Sequence, residues 1–146
     1  GHRGIFSGGP PADYGFKGGT ARYPREANRQ TLGCLMLREG VGIENLPEMV
    51  TVPGVDVYFI GSGDLSQSMG YTGQQAHPAV QQLMERSVKT ITGAGRIAGC
   101  SCPDNLIPKF LGLGVQYFHG SVGRLLQQGS EGYLQKARQA AVDVGK

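Results

Sequence analysis

The sequence predicts an α/β protein built from four parallel strand–helix units. Three observations lead there. Short, continuous apolar runs recur along the chain, as strands buried on both faces require. Between them lie stretches whose apolar residues repeat at helical spacing. Glycine is abundant, with 25 among 146 residues against about 7% in an ordinary protein, so tight turns and close backbone approaches are frequent.

Residues 1–30 have little periodicity. Gly8-Gly9-Pro10-Pro11 and Gly18-Gly19 mark turns, so this part is predicted as mostly loop, with a short helix over 24–30. Arg22, Arg25 and Arg29, interrupted by Glu26, form a solvated or subunit-contact face. Residues 32–37 (LGCLML) predict a buried strand, 42–50 (GIENLPEMV) a short helix and 55–60 (VDVYFI) a second strand. In 78–92, Val80, Leu83, Met84, Val88 and Ile91 share one helical face. Pro78 suits the first turn, and Gly93 and Gly95 suit the stop. Residues 96–100 (RIAGC) predict a third strand and 104–113 a helix with Asp104 near its cap. Residues 115–119 (VQYFH) predict the fourth strand, and 122–144 helical segments broken between Gly129 and Gly132. No seam divides 31–146, so the reading is one domain over 1–146.

Composition excludes some functions. A net charge of +3 is too small for a nucleic-acid or membrane-surface protein. No run approaches the roughly 20 apolar residues of a membrane span. Cys34, Cys100 and Cys102 lack zinc-site spacing and read as free buried thiols of a cytoplasmic protein.

Chemistry is expected where strands end, because ligands of parallel α/β folds bind at their C-terminal edge. The stretch VYFIGSGDLS, residues 57–66, runs from a strand into small residues and a carboxylate. Gly61 and Gly63 leave backbone N–H groups open to an oxyanion, Ser62 adds a hydroxyl, and Asp64 could hold a hard cation. On the preceding strand, Arg38 and Glu39 follow Leu37, and Glu39 with Asp64 would make a Mg²⁺ or Mn²⁺ site. Successive strand residues point opposite ways, so only one of Arg38 and Glu39 can face Asp64. A cation attracts the carboxylate, so Glu39 is the one expected there. His77-Pro78 reads as a helix entry, and His119 ends the last strand on the same side.

These residues carry a family resemblance. VDVYFIGSGDLSQSMGYTGQQAHPAV resembles the G-x-D-L-S…H-P block of HpcH/HpaI aldolases. EANRQTLGCLMLREGVGIENL resembles the preceding strand and helix, and GHRG the family's G-x-R-G loop. The resemblance implies the C-terminal half of a (β/α)8 TIM barrel, the whole of which needs about 250 residues. It implies a carbon–carbon lyase of the pyruvate aldolase type, joining a small 2-oxo acid to an aldehyde through an enolate on a divalent metal. By position Asp64 would bind the metal, Ser62 and Gly63 the pyruvate carboxylate, and Arg3 would lie in the substrate loop.

Several residues depart from the pattern. Without gaps the metal-binding glutamate falls on Arg38, and a shift by one residue brings Glu39. Ser62 replaces a proline, and Val122 stands where the family has an aspartate. The resemblance identifies no proton-transfer residue in this half. The alternative is a non-catalytic remnant. Either way a half-barrel should seek a homo-oligomer or a complementary N-terminal half, because Leu35, Val57, Phe59 and Tyr117 would face an uncovered interior.

Overall fold

A computed structural model describes residues 4–145. The chain divides into two compact units at Gly33. In the first, a 3₁₀ segment, Pro10–Gly15, precedes helix α1, Gly19–Gln30. This part is more helical than its sequence predicts. The helix begins before Pro24 rather than at it, and Pro24 lies inside. Arg22 and Arg29 each reach Glu26 at 3.8 Å across successive turns, the spacing at which helical ion pairs form.

The second unit holds a four-stranded parallel sheet in the order β1-β2-β3-β4. Its strands are Cys34–Leu37, Val57–Ile60, Ile97–Cys100 and Val115–Phe118. Helices α2 (Gly40–Glu44) and α3 (Leu46–Met49) follow β1, α4 (Ser62–Ser68) and α5 (Pro78–Gly93) follow β2, α6 (Ile107–Gly112) follows β3, and α7 (Val122–Asp143) follows β4. Among the described residues no helix is long and apolar enough to cross a membrane.

The alternation of the strands sorts their side chains onto two faces. Leu35 and Leu37, Tyr58 and Ile60, Ala98 and Cys100, and Val115 and Phe118 pack with Val80, Met84, Val88 and Ile91 of α5 and Phe110 of α6. The Tyr58 hydroxyl crosses that core to donate to the Met49 carbonyl at 2.6 Å. This satisfies a polar atom that burial would otherwise penalise. The helix α5 is the one the apolar spacing predicts, and His77 opens it by accepting from the Ala79 N–H at 3.3 Å.

The opposite face is a row of registered neighbours: Met36, Phe59, Gly99 and Tyr117. Gly99 is small for a reason. A Cβ there would lie 3.0 Å from the Phe59 ring and 3.1 Å from both the Tyr117 ring and its carbonyl oxygen. Without it the Phe59 and Tyr117 rings meet edge to face at 6.0 Å, a favourable aromatic geometry. The expected exposure of this row is corrected in part. Leu35 turns toward the helices, and Val57 and Phe59 are buried, whereas Met36 is 52% exposed and Tyr117 40%.

Two further expectations change. Helix α7 continues through Gly129 and Gly132, with Gln127 donating to Glu131 at 2.8 Å across the first of them. Asp104 caps nothing. Its carboxylate instead meets Arg124 at 2.9 Å and accepts from Gln128 at 3.0 Å, tying α7 to the end of β3.

Candidate functional site

The sheet face opposite the helices ends in a second row, one residue beyond the strands. The backbone ladder continues there. The N–H of Gly61 donates to the Leu37 carbonyl, that of Ser101 to Ile60 and that of His119 to Cys100, at 2.9, 3.2 and 3.3 Å. Two residues past the neighbours of Phe59, this row reads Arg38, Gly61, Ser101 and His119. The His119 ring stands edge-on to Phe59 at 6.2 Å.

Gly61 is the N-cap of α4, a helix for which the sequence predicts no element. The chain turns straight from β2 into that helix, so Ser62, Gly63 and Asp64 form its first turn. Their N–H groups have no partner within the helix. Ser62 is buried, and both its N–H and its hydroxyl contact the Ser101 hydroxyl at 3.1 Å. A proline at position 62 could not donate that N–H. The substitution therefore ties the start of α4 to the end of β3. Gly63 and Asp64 follow Ser62 in that first turn, and Asp64 suits the positive end of the helix dipole.

Ser62 and Gly63 line a pocket of about 420 Å³ with Ser101, Asp104, His119, Ser121, Arg124 and Gln75. Ser101, Gln75 and the Asp104–Arg124 pair are site residues that sequence reasoning missed. Gln75 lies within the G-x-D-L-S…H-P block but between its marked residues, Arg124 lies far from it in sequence, and nothing in a lone serine after Cys100 marks it. Asp64 opens on a neighbouring, shallower hollow with Arg38, Glu39, Gln67 and Ser68.

In that hollow the charge order differs from the expectation. Arg38, not Glu39, faces Asp64, with its Nε 4.0 Å from Oδ2. The cause is alternation: Leu37 is locked into the core, so the next residue must point to the other face. Glu39 lines the hollow from the exposed N-cap of α2. Among the described residues no three His, Cys, Asp or Glu side chains converge as a metal site would need. With a guanidinium already at the Asp64 carboxylate, this donor set does not fit a divalent cation. Arg3 lies outside the described residues.

The cysteines are free. Cys34 is exposed rather than buried as predicted, while Cys100 is fully covered. Burial, with Cys102 beside it, pushes the Cys100 thiol from 9.0 up to about 12. An unfolded chain would release this proton near pH 9 and the folded chain would not. The contribution of this thiol to stability is therefore fully present below about pH 9 and is lost as pH rises toward 12. Melting temperatures of the protein and of Cys100→Ala across that range test this. Parallel curves for the two would show that Cys100 contributes nothing to the decline.

Comparison with known proteins identifies the arrangement. Residues 14–136 match the HpcH/HpaI aldolase/citrate lyase family. The chain belongs to that family. It is 34% identical over 110 residues to the 2-keto-3-deoxy-L-rhamnonate aldolase of Klebsiella pneumoniae, covering 75% of this chain and 41% of that one. It is 35% identical over 96 residues to the hydroxypyruvate/pyruvate aldolase of Roseobacter denitrificans, covering 65% and 38%. The chain thus spans less than half the length of these curated relatives. An HpcH/HpaI aldolase/citrate lyase family protein from Burkholderia cenocepacia superposes with a TM-score of 0.79 at 25% identity, over 93% of this chain and 52% of the other. Macrophomate synthase shares the fold, with a TM-score of 0.72 at 17% identity over 100% and 52%. The four strand–helix units are half of a barrel of this HpcH/HpaI kind.

Proposed function

We propose that this chain is the carboxylate-holding half of a carbon–carbon lyase of the pyruvate aldolase type, acting on a small 2-oxo acid and an aldehyde. One observation carries the reading: β2 delivers an open first turn of α4, at Ser62-Gly63-Asp64, to the C-terminal edge of the sheet beside a pocket that sets Ser101, Asp104 and Arg124 against the apolar walls of Ile107, Phe118 and Leu125. The N–H groups of Gly63 and Asp64 would hold the substrate carboxylate. The Ser62–Ser101 contact would keep that turn rigid, so that little reorganisation accompanies binding. The resemblance also assigns a substrate-binding role to Arg3 of the G-x-R-G motif. The pocket lined by Ser101, Ser121, Asp104 and Arg124 would take the polar end of the aldehyde.

Cleavage next to a 2-oxo group leaves enolate charge that a cation must stabilise. The resemblance gives that task to Mg²⁺ or Mn²⁺ on Asp64 and Glu39. The donor set, with the Arg38 guanidinium 4.0 Å from the Asp64 carboxylate, does not favour it. The site would be completed by a complementary half-barrel or a second copy in a homo-oligomer. With three free cysteines, the reducing cytoplasm is the compartment we propose. A second reading, a non-catalytic partner in such an assembly, is favoured by Val122 at the family's aspartate position.

The test is binding of pyruvate and oxalate to the purified chain by calorimetry. A Cβ on Gly63 would meet only the Gln75 Nε2, at an ordinary contact distance of 3.9 Å, so Gly63→Asp can be accommodated while setting a negative charge on the cradle. It should weaken oxalate at least about tenfold, on the order of 1.4 kcal/mol. Absence of binding to the parent chain, with and without Mg²⁺, would remove the lyase reading and leave the non-catalytic one.

A further inference from the structure

We infer that in this chain the Arg38 guanidinium, in place of a divalent cation, is the positive group that receives the 2-oxo acid. The inference rests on the carboxylate-binding reading above and names the charge that reading lacks.

Three features place Arg38 there. Leu37 is buried among the helices, so the backbone itself directs Arg38 to the opposite face, where Phe59 and His119 lie. Glycine faces it on the next strand. A Cβ on Gly61 would touch both Arg38 Cγ, at 3.7 Å, and Asp64 Oδ2, at 3.8 Å, so both side chains lie against this one position of the row. Asp64 then holds the guanidinium through Nε at 4.0 Å, loosely enough for a stronger acceptor to compete.

The chemistry of the group suits the ligand. A guanidinium carries five N–H donors in a planar fork and stays charged at any working pH. The carboxylate of a 2-oxo acid and the oxygen of its enolate are two acceptors on one planar edge, which a fork can take side by side. The same fixed positive charge repels a divalent ion from the Asp64 carboxylate. No bond is made or broken in this assignment; Arg38 binds and stabilises charge.

The probe is oxalate, a planar dianion, titrated into the purified chain in EDTA and again in Mg²⁺. Mn²⁺ binding is followed separately by electron paramagnetic resonance without oxalate. The parent chain should bind oxalate equally, within about twofold, in both buffers. Arg38→Ala should weaken it at least about tenfold in EDTA, and Arg38→Lys, a point charge, should recover part of the loss. Arg38→Glu should take up Mn²⁺ that the parent chain does not, in a manner abolished by adding Asp64→Asn. Oxalate binding by the parent chain only in Mg²⁺ would overturn the inference while sparing the carboxylate-binding reading. Mn²⁺ uptake by the parent chain that Asp64→Asn removes would do the same. No oxalate binding in either buffer would overturn both. The two-buffer comparison uses the parent chain, so it decides even if a variant misfolds.

Discussion

Phe110→Ala should unfold much of this protein at 37 °C, whereas Leu111→Ala should be nearly silent. Phe110 is fully buried at the end of α6, against the sheet and α5, while Leu111 beside it is 55% exposed. Removing a buried phenylalanine costs about 3–5 kcal/mol through lost transfer energy and the cavity left behind. A domain has a total of about 5–15 kcal/mol, and a half-barrel belongs at the lower end. The neighbouring Lys109 adds to the loss, because its ammonium lies over the Phe110 ring at 5.6 Å and bridges to Glu85 at 2.6 Å. Urea denaturation measures both variants. A Phe110→Ala midpoint indistinguishable from that of Leu111→Ala would mean that α6 does not pack as described.

The purified 146-residue chain should form a dimer or higher oligomer rather than a stable monomer. In the described sheet β1 and β4 each have one strand neighbour, and free strand edges invite pairing with another chain. On the face turned away from the helices Met36 and Tyr117 are large, apolar and partly exposed. Along α7, Leu125, Leu126, Tyr133 and Leu134 are exposed as well. Each such side chain gains roughly 1.5–3 kcal/mol when fully covered, so association is the nearest source of stability. The contact between Phe59 and Tyr117 lessens this drive without removing it. Light scattering with a parallel thermal melt decides. A monodisperse monomer with a sharp cooperative transition would show that the half-barrel is self-sufficient.

Much of this was legible in the sequence. The four apolar runs became the four strands, the first three trimmed at the N-terminal end and the fourth at the C-terminal end, because burial on both faces leaves a continuous hydrophobic signature. Helix α5 carried its register in Val80, Met84, Val88 and Ile91. The G-S-G-D-L-S and H-P-A-V elements carried the family and placed Ser62, Gly63 and Asp64 at a strand end. Less was legible where a residue's role depends on what lies across from it. Pro24 reads as a start or a breaker, yet a 12-residue helix runs through it. Gly129 and Gly132 read as a break, yet α7 runs unbroken through both.

The choice between Arg38 and Glu39 divides the two kinds of information most clearly. Alternation along β1 was already in the sequence, and it requires one of them to face Asp64. Charge attraction suggested Glu39. The tertiary structure chose Arg38, because Leu37 is the residue that the helices bury, and its burial fixes the phase of every neighbour. Likewise the sequence determined that a small, open turn follows β2. Only packing joined Ser62 to Ser101 from the next strand, since that contact depends on two strands in register and on no local pattern. A chain's own spacing determines which side chains can share a face; which face meets the core is settled by the layer packed against it.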